Sequence, residues 1–367
     1  MRIWTGAALA ALTIAGCSKP EAPDKAAADV REYAIAWPDR GEPPRNNCDP
    51  KPGETVHAGS THEIAFDPKR PGDLWISGQN YDWLARVIPA TGAMRFIHMP
   101  AGSGPHGLEF DAAGRLWVSL ECAGRLIALD PEGRRTAEVR LPAGTRPHGL
   151  GIGPDGRTIW YTGKTDGTIG RVAPDGTVTR FALKDPASTP IYVRAGPDGS
   201  MWATELTGNR IARVTPEGRL VEYDLLTPKS RPIAIVPGPD GAMWFSEEAG
   251  NEVGRIDAAG IFTTYVLPGV PGRPNLLLAG LAFDERGDLW VQQYVDPNHP
   301  SPAGEDYLAR IAAAVLKGPP QEFKPGQFER YAVGTRQTVM HRIVEGPDKA
   351  MWFTEMHSDK VGRLAVR

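Results

Sequence analysis

A chain of 367 residues with a formal net charge of −3 and no basic run lacks the electrostatic footprint of a nucleic-acid binder. It is long enough to bury a sizeable core, and its 42 glycines and 35 prolines favour many short elements joined by turns over long helices. The apolar stretch near the N-terminus is too short for a membrane-spanning helix of about 20 residues.

That stretch, Gly6 to Ala15, follows a short head (Met1 to Trp4) and runs into Ile14-Ala15-Gly16-Cys17. Its small-residue exit is that of a secretory signal. The cysteine after Ile-Ala-Gly resembles a bacterial lipobox, which implies cleavage before Cys17 and acylation of it; an ordinary secretory signal cut nearby is the alternative. Ser18, in place of an aspartate, resembles lipoproteins sorted to the outer membrane. Residues 1–17 are therefore expected to be a signal peptide and Cys17 a lipid anchor at the periplasmic face of the outer membrane, with no other membrane contact. Residues 18–31, rich in Ala, Pro, Lys, Glu and Asp without apolar periodicity, are expected to be a flexible tether. Once Cys17 is set aside, Cys48 and Cys122 remain, 74 residues apart: an oxidising compartment would allow one disulfide, which the sequence leaves open, and the lack of a Cys-x-x-Cys spacing disfavours a two-thiolate metal site.

From residue 32 to the end the chain repeats itself. Seven of the ten tryptophans (Trp75, Trp117, Trp160, Trp202, Trp244, Trp290, Trp352) recur at intervals of 42, 43, 42, 42, 46 and 62 residues. Around each lie an apolar run, a turn such as Pro239-Asp240-Gly241, the Trp strand, a polar turn, a strand ending in Ala/Gly-Arg, and an aromatic-rich strand. Asp and Gly supply the local hydrogen bond and the positive φ that such turns need. Four strands per roughly 42 residues is the content of a propeller blade. The expected fold is all-β: a seven-bladed β-propeller over 32–367, with four antiparallel strands per blade.

The seventh unit ends at Arg367 after three strands, and Glu32 to Trp37 reads like the missing fourth, so this N-terminal strand is expected to close the ring. Two excess segments, Val295 to Glu305 and Ala312 to Gln327, read as loops of the sixth blade. Helix is expected only as a turn around Ile311 to Leu316.

Alignment on the tryptophans places His62, His106, His148, Ile191, Ile233, Ala279 and His341 at the start of the innermost strand. Four of the chain's eight histidines thus face one channel from blades seven, one, two and three. Crowded imidazoles repel if protonated, so either their pKa values fall or an anion or metal binds among them. Neutral imidazoles with a nearby carboxylate suit Zn²⁺, Fe²⁺ or Mn²⁺, with His62, His106 and His148 as ligand candidates. The bland reading is a repeat-consensus histidine bonded to a backbone carbonyl. A second recurrence, Trp-x-Thr/Ser-Glu, gives Glu205, Glu247 and Glu355; only blade seven carries both groups, and His341 and Glu355 are expected to meet at the channel mouth.

Pro-His-Gly-Leu, Pro-Asp-Gly-x-Met-Trp-Phe-Ser/Thr-Glu and Asn/Asp-x-Val-Gly-Arg-Ile, repeated over Tyr33 to Arg367, resemble the streptogramin B (virginiamycin B) lyase family. The resemblance implies seven blades and magnesium-dependent elimination at an ester bond of a cyclic depsipeptide. It makes His341 the catalytic base and Glu355 the metal-ligating carboxylate. Where the family pattern has a second histidine and an acidic residue two positions before the base, this sequence has Ala279 and Val339. The readings that stay open are a metal-dependent lyase on an ester or glycoside-like substrate, a hydrolase of lactonase type or a four-histidine iron oxygenase, and a non-catalytic propeller. The expected ligand is a small molecule or saccharide at the channel mouth, and the expected state a monomer.

Overall fold

The computed structural model describes residues 24–25, 30–38, 48, 59–320 and 323–366. The signal peptide, Cys17 and most of the expected tether lie outside these residues. The described chain forms seven antiparallel sheets of four strands, one per repeat, arranged in a ring. Blade two is representative, with strands Pro105–Phe110, Leu116–Leu120, Arg125–Leu129 and Arg135–Arg140 running from the axis outward. The innermost strands of neighbouring blades pack side by side through the full circle. Among the described residues helix is almost absent: one α-turn, Ala313–Leu316, sits where it was expected, and no helix is long and apolar enough to cross a membrane.

The ring closes as the unfinished seventh repeat requires. Val30–Ala34 pairs antiparallel with Lys360–Leu364 as the outer strand of blade seven, starting two residues earlier than the expected boundary. Ile35 then donates its N–H to Asp359 O, and the buried Trp37 indole donates to Thr61 Oγ1 at 3.0 Å, so one segment grips blades seven and one. Farther upstream Asp24–Lys25 pairs in parallel with the outer strand of blade six, Phe328–Ala332.

Each repeat residue has a packing reason. The Trp of the second strand is buried against the next blade, and in five blades its indole N–H reaches the aspartate of the preceding turn at 3.0 Å, as from Trp202 to Asp198 and from Trp352 to Asp348. In blades four, five and seven the Arg of the third strand pairs with the turn aspartate, and in blades three, four and seven it lies over the tryptophan ring, as Arg213 does with Asp198 and Trp202. The small residue before that Arg follows its cross-strand partner. It is Gly opposite Tyr161, Phe245 and Phe353, where a Cβ would come within about 2.1 Å of the ring, and Ala opposite Ile76, Ala203 and Val291.

A further device ties the blades together at the axis. In all seven innermost strands the register slips by a bulge after the first residues. The N–H freed at the bulge goes to the side chain two residues after the Trp: Glu63 to Ser77, Gly107 to Ser119, Gly149 to Thr162, Tyr192 to Thr204, Ala234 to Ser246, Gly280 to Gln292, Arg342 to Thr354. In six blades the same side chain donates onward to an innermost-strand carbonyl of the next blade, as Ser119 does to His148 O and Thr354 to His62 O.

Deleting residues 30–37 removes the closing strand and the Trp37 anchor and leaves a sheet edge bare. The expected result in thermal unfolding is a Tm lower by more than about 10 °C or no folded protein at all. An unchanged Tm would reject strand closure as the source of ring stability.

Candidate functional site

The bulge sets the position of the four axial histidines. Each precedes the residue whose N–H is held by the Ser/Thr relay, so its Cα is fixed at the narrowest part of the ring. The structure brings all four rings together: centroids lie 3.8 Å apart for His341 and His62, 4.0 Å for His62 and His106, and 3.7 Å for His106 and His148, with no pair beyond 6.5 Å. His62, His106 and His148 are buried, and the His341 side chain, 13% exposed, is the most accessible.

Burial, then the charges of His148 and His341, holds His106 well below the ordinary imidazole pKa. Burial, then Lys164 and His62, does the same to His148, whose Nδ1 lies 3.2 Å from Ile191 O. The arc of imidazoles that faces Ile191, Ile233 and Ala279 thus contains two, His106 and His148, that burial keeps neutral.

Beneath this layer the channel is filled by a polar plug. Glu63, Tyr192 and Arg342 each follow an axial residue, and they meet across the axis: Tyr192 donates its hydroxyl to Glu63 Oε1 at 3.0 Å, and the Arg342 guanidinium lies 5.4 Å from the Tyr192 ring centroid and 3.6 Å from Glu63 Oε2. Arg194 and Glu109 pair beside them at 2.9 Å. The corresponding residues of blades two and three are Gly107 and Gly149, where a Cβ would strike the next blade's carbonyl oxygen. This explains the Pro-His-Gly pattern of those two blades.

Glu63 is the group that sequence reasoning missed. Its Oε1 lies 3.2 Å from His341 Nδ1. Burial alone would raise its pKa, but the adjacent His341 ring and the Arg342 and Arg194 charges outweigh burial and hold the carboxyl below its usual range. An ionised Glu63 only accepts hydrogen bonds, so it selects the His341 tautomer with the proton on Nδ1 and the lone pair on Nε2.

The expected meeting of His341 and Glu355 does not occur. Glu355, fully buried, pairs in register with Met340, accepts a hydrogen bond from Ser358 Oγ at 3.0 Å, and feels the charges of Glu32 and Lys360 on the outer side of the blade. Glu205 lies 3.9 Å from Arg210, and Glu247 is bonded by Ser230. Side chains along a strand alternate between the two faces of a blade, and each face packs on a neighbouring blade, so the position three after the Trp and the one four after turn to opposite neighbours. That second position carries Gln79, Glu121 and Lys164, which form a chain: Gln79 Nε2 donates to Glu121 Oε2 at 2.8 Å, and Lys164 Nζ lies 3.2 Å from Glu121 Oε1. Glu121 adjoins Cys122, which is bonded to Cys48 with a Cα separation of 4.7 Å.

Among the described residues two groups of side chains bring ligand atoms within 4.8 Å of one another: His62, His106 and His341, and His106, Glu121 and His148. Such donors suit a divalent transition metal.

The virginiamycin B lyase family profile matches residues 55–297. The chain belongs to the virginiamycin B lyase family. No curated protein matches it. Solved structures with the same fold include a streptogramin B lyase (23% identity, TM-score 0.73, covering 92% of this chain and 97% of the other) and the virginiamycin B lyase of Staphylococcus aureus (24% identity, TM-score 0.72, covering 92% and 99%). A catalytically inactive variant of the Staphylococcus aureus enzyme with quinupristin gives 24% identity, a TM-score of 0.71, and coverage of 92% and 99%. The family match ends in blade six, so His341 and Glu355 lie beyond it.

Burial, then the Glu32 charge, raises the Glu355 pKa to about 8. A carboxyl whose pKa rises on folding stabilises the fold fully below its unfolded value near 4.5, and that stabilisation is lost as pH rises through about 8. Glu355→Gln should therefore match the parent Tm at pH 4 and exceed it increasingly from pH 6 to 9 in a pH series of melting curves. A constant difference would show that folding leaves the Glu355 pKa at its unfolded value.

Proposed function

We propose that this protein is a lyase of the cell envelope that opens an ester by elimination, with His341 as the base and Glu63 as its positioning residue. The observation that carries the reading is the 3.2 Å approach of His341 Nδ1 to a buried, ionised Glu63. In the reaction, His341 Nε2 takes the proton from the carbon α to a carbonyl. The C–H electron pair becomes the new Cα=Cβ bond, and the Cβ–O bond breaks to release a carboxylate. No water is added, so the opened product has the mass of the cyclic substrate. Tyr192 and Arg342 hold Glu63 from the far side and keep the tautomer fixed as the ring gains charge.

The magnesium of the family does not fit the residues at the expected position. Magnesium prefers several oxygen ligands in octahedral array. Here Glu355 is bonded to Ser358 and protonated up to about pH 8, and the partner position holds Val339, which belongs to an apolar cluster. The reading therefore routes no step through that ion. Ligand binding without turnover is the second reading, favoured by the apolar Ala279 and Val339 where the family pattern has a histidine and an acid. The ligand in either reading is a small ester-containing or saccharide-like molecule entering at the His341 side of the mouth, acted on by a monomer.

The test is incubation with a streptogramin B depsipeptide and a panel of cyclic and linear esters, followed by mass spectrometry. Ring opening without mass change supports the lyase, gain of one water makes it a hydrolase, and saturable binding with neither supports the binding reading. For a substrate so found, His341→Ala is expected to lower kcat by about 10²–10⁴-fold. Glu63→Gln should lower kcat by roughly 10-fold or more with little change in KM, and Glu355→Gln should change neither.

The same reading makes the protein a lipoprotein anchored at Cys17 on the periplasmic face of the outer membrane. It is supported by Ile14-Ala15-Gly16-Cys17 and by the Cys48–Cys122 bond, which suits an oxidising compartment. Cys17→Ser is expected to abolish acyl labelling and shift the protein from the membrane to the soluble envelope fraction.

A further inference from the structure

We propose that His106, Glu121 and His148 form a binding site for a first-row divalent transition metal, separate from the His341–Glu63 pair. The three side chains come from blades two and three. His106 opens the innermost strand of blade two, Glu121 follows its second strand, and His148 opens the innermost strand of blade three. Their ligand atoms lie within 4.8 Å of one another, and all three residues are at least nine-tenths buried.

Three features point to a cation. His106 is 1% exposed, yet neither ring nitrogen has a hydrogen bond of good geometry among the described residues. Leaving a buried polar group unsatisfied costs about 1–3 kcal/mol, which a metal bond would offset. His148 Nδ1 lies 3.2 Å from Ile191 O, leaving Nε2 as the ligand atom; a backbone carbonyl behind the ligating imidazole is the usual outer support of a metal histidine. Glu121 supplies negative charge, fixed by Gln79 at 2.8 Å and neutralised by Lys164 at 3.2 Å. Two imidazoles and one carboxylate match the donor set of non-haem iron and of zinc sites with open positions. They do not match the all-oxygen preference of magnesium or calcium.

Lys164 is the competitor. Its side chain is 27% exposed, so it can swing into solvent when a dication takes over its partner. The site thus exchanges one mobile ammonium for a metal held by three ligands.

The experiment uses the full chain, stripped with chelator and titrated with Co²⁺ as a spectroscopic probe, then with Zn²⁺ and anaerobic Fe²⁺. Visible d–d bands, equilibrium dialysis and Tm are the readouts. One equivalent of Co²⁺ is expected. Glu121→Gln and His148→Gln should each weaken binding by at least about 100-fold, and Lys164→Ala should tighten it by about 10-fold. Circular dichroism of each variant separates ligand loss from failure to fold, and Glu121→Gln is the mildest of the three. His341→Ala should keep full binding while losing any lyase turnover, so the two proposals stand or fall separately. The proposal is overturned if the parent binds no metal. It is equally overturned if binding survives Glu121→Gln but is lost in His341→Ala, which would assign the ion to His62, His106 and His341.

Discussion

The structure depends on a ring of small polar side chains two residues after each tryptophan. At every blade the innermost strand bulges and frees an N–H in a place that water reaches poorly, and a buried unpaired amide is expensive. Ser77, Ser119, Thr162, Thr204, Ser246, Gln292 and Thr354 accept these seven N–H groups. Six of them hand a hydrogen bond on to the next blade. A hydroxyl both accepts and donates, so one small side chain satisfies the bulge and sets the spacing of neighbouring blades. The axial histidines stand at the joints of this relay, which is why residues hundreds of positions apart are held ring against ring.

That crowding determines the electrostatics. Four imidazoles in mutual contact cannot all be protonated, and burial adds to the penalty, so His106 and His148 are held neutral. Glu63, one residue further on, has the opposite fate, because two guanidinium groups and His341 surround it and keep it charged although it is buried. Two neighbouring layers thus differ in character: an arc of imidazoles in which His106 and His148 are neutral, and a group of paired charges around Glu63.

Strand alternation divides the acidic residues of the repeat into two populations. Glu205, Glu247 and Glu355, three residues after the Trp, are buried beside serines of adjoining turns, their protons retained by burial. Glu121, shifted by one residue, belongs to the mouth with Gln79 and Lys164. A one-residue offset moves a carboxylate from scaffold to site.

The sequence by itself determined the seven blades, the tryptophan period, the missing outer strand and the convergence of His62, His106, His148 and His341, because these follow from local patterns repeated in register. The choice of Gly or Ala before the third-strand arginine came out only in the structure, where it answers the residue directly across the hairpin. What only the tertiary structure decided was which carboxylate meets which histidine. Glu63 reaches His341 from the next blade round the ring, across the seam between the chain's two ends, and Glu121 joins His148 from the neighbouring blade. Glu355, matched to His341 by its spacing within one blade, turns away. Contacts inside a hairpin are fixed by strand register, which is written along the chain. Contacts between blades are fixed by the direction of each side chain at a bulge, and that direction exists only once the ring has closed.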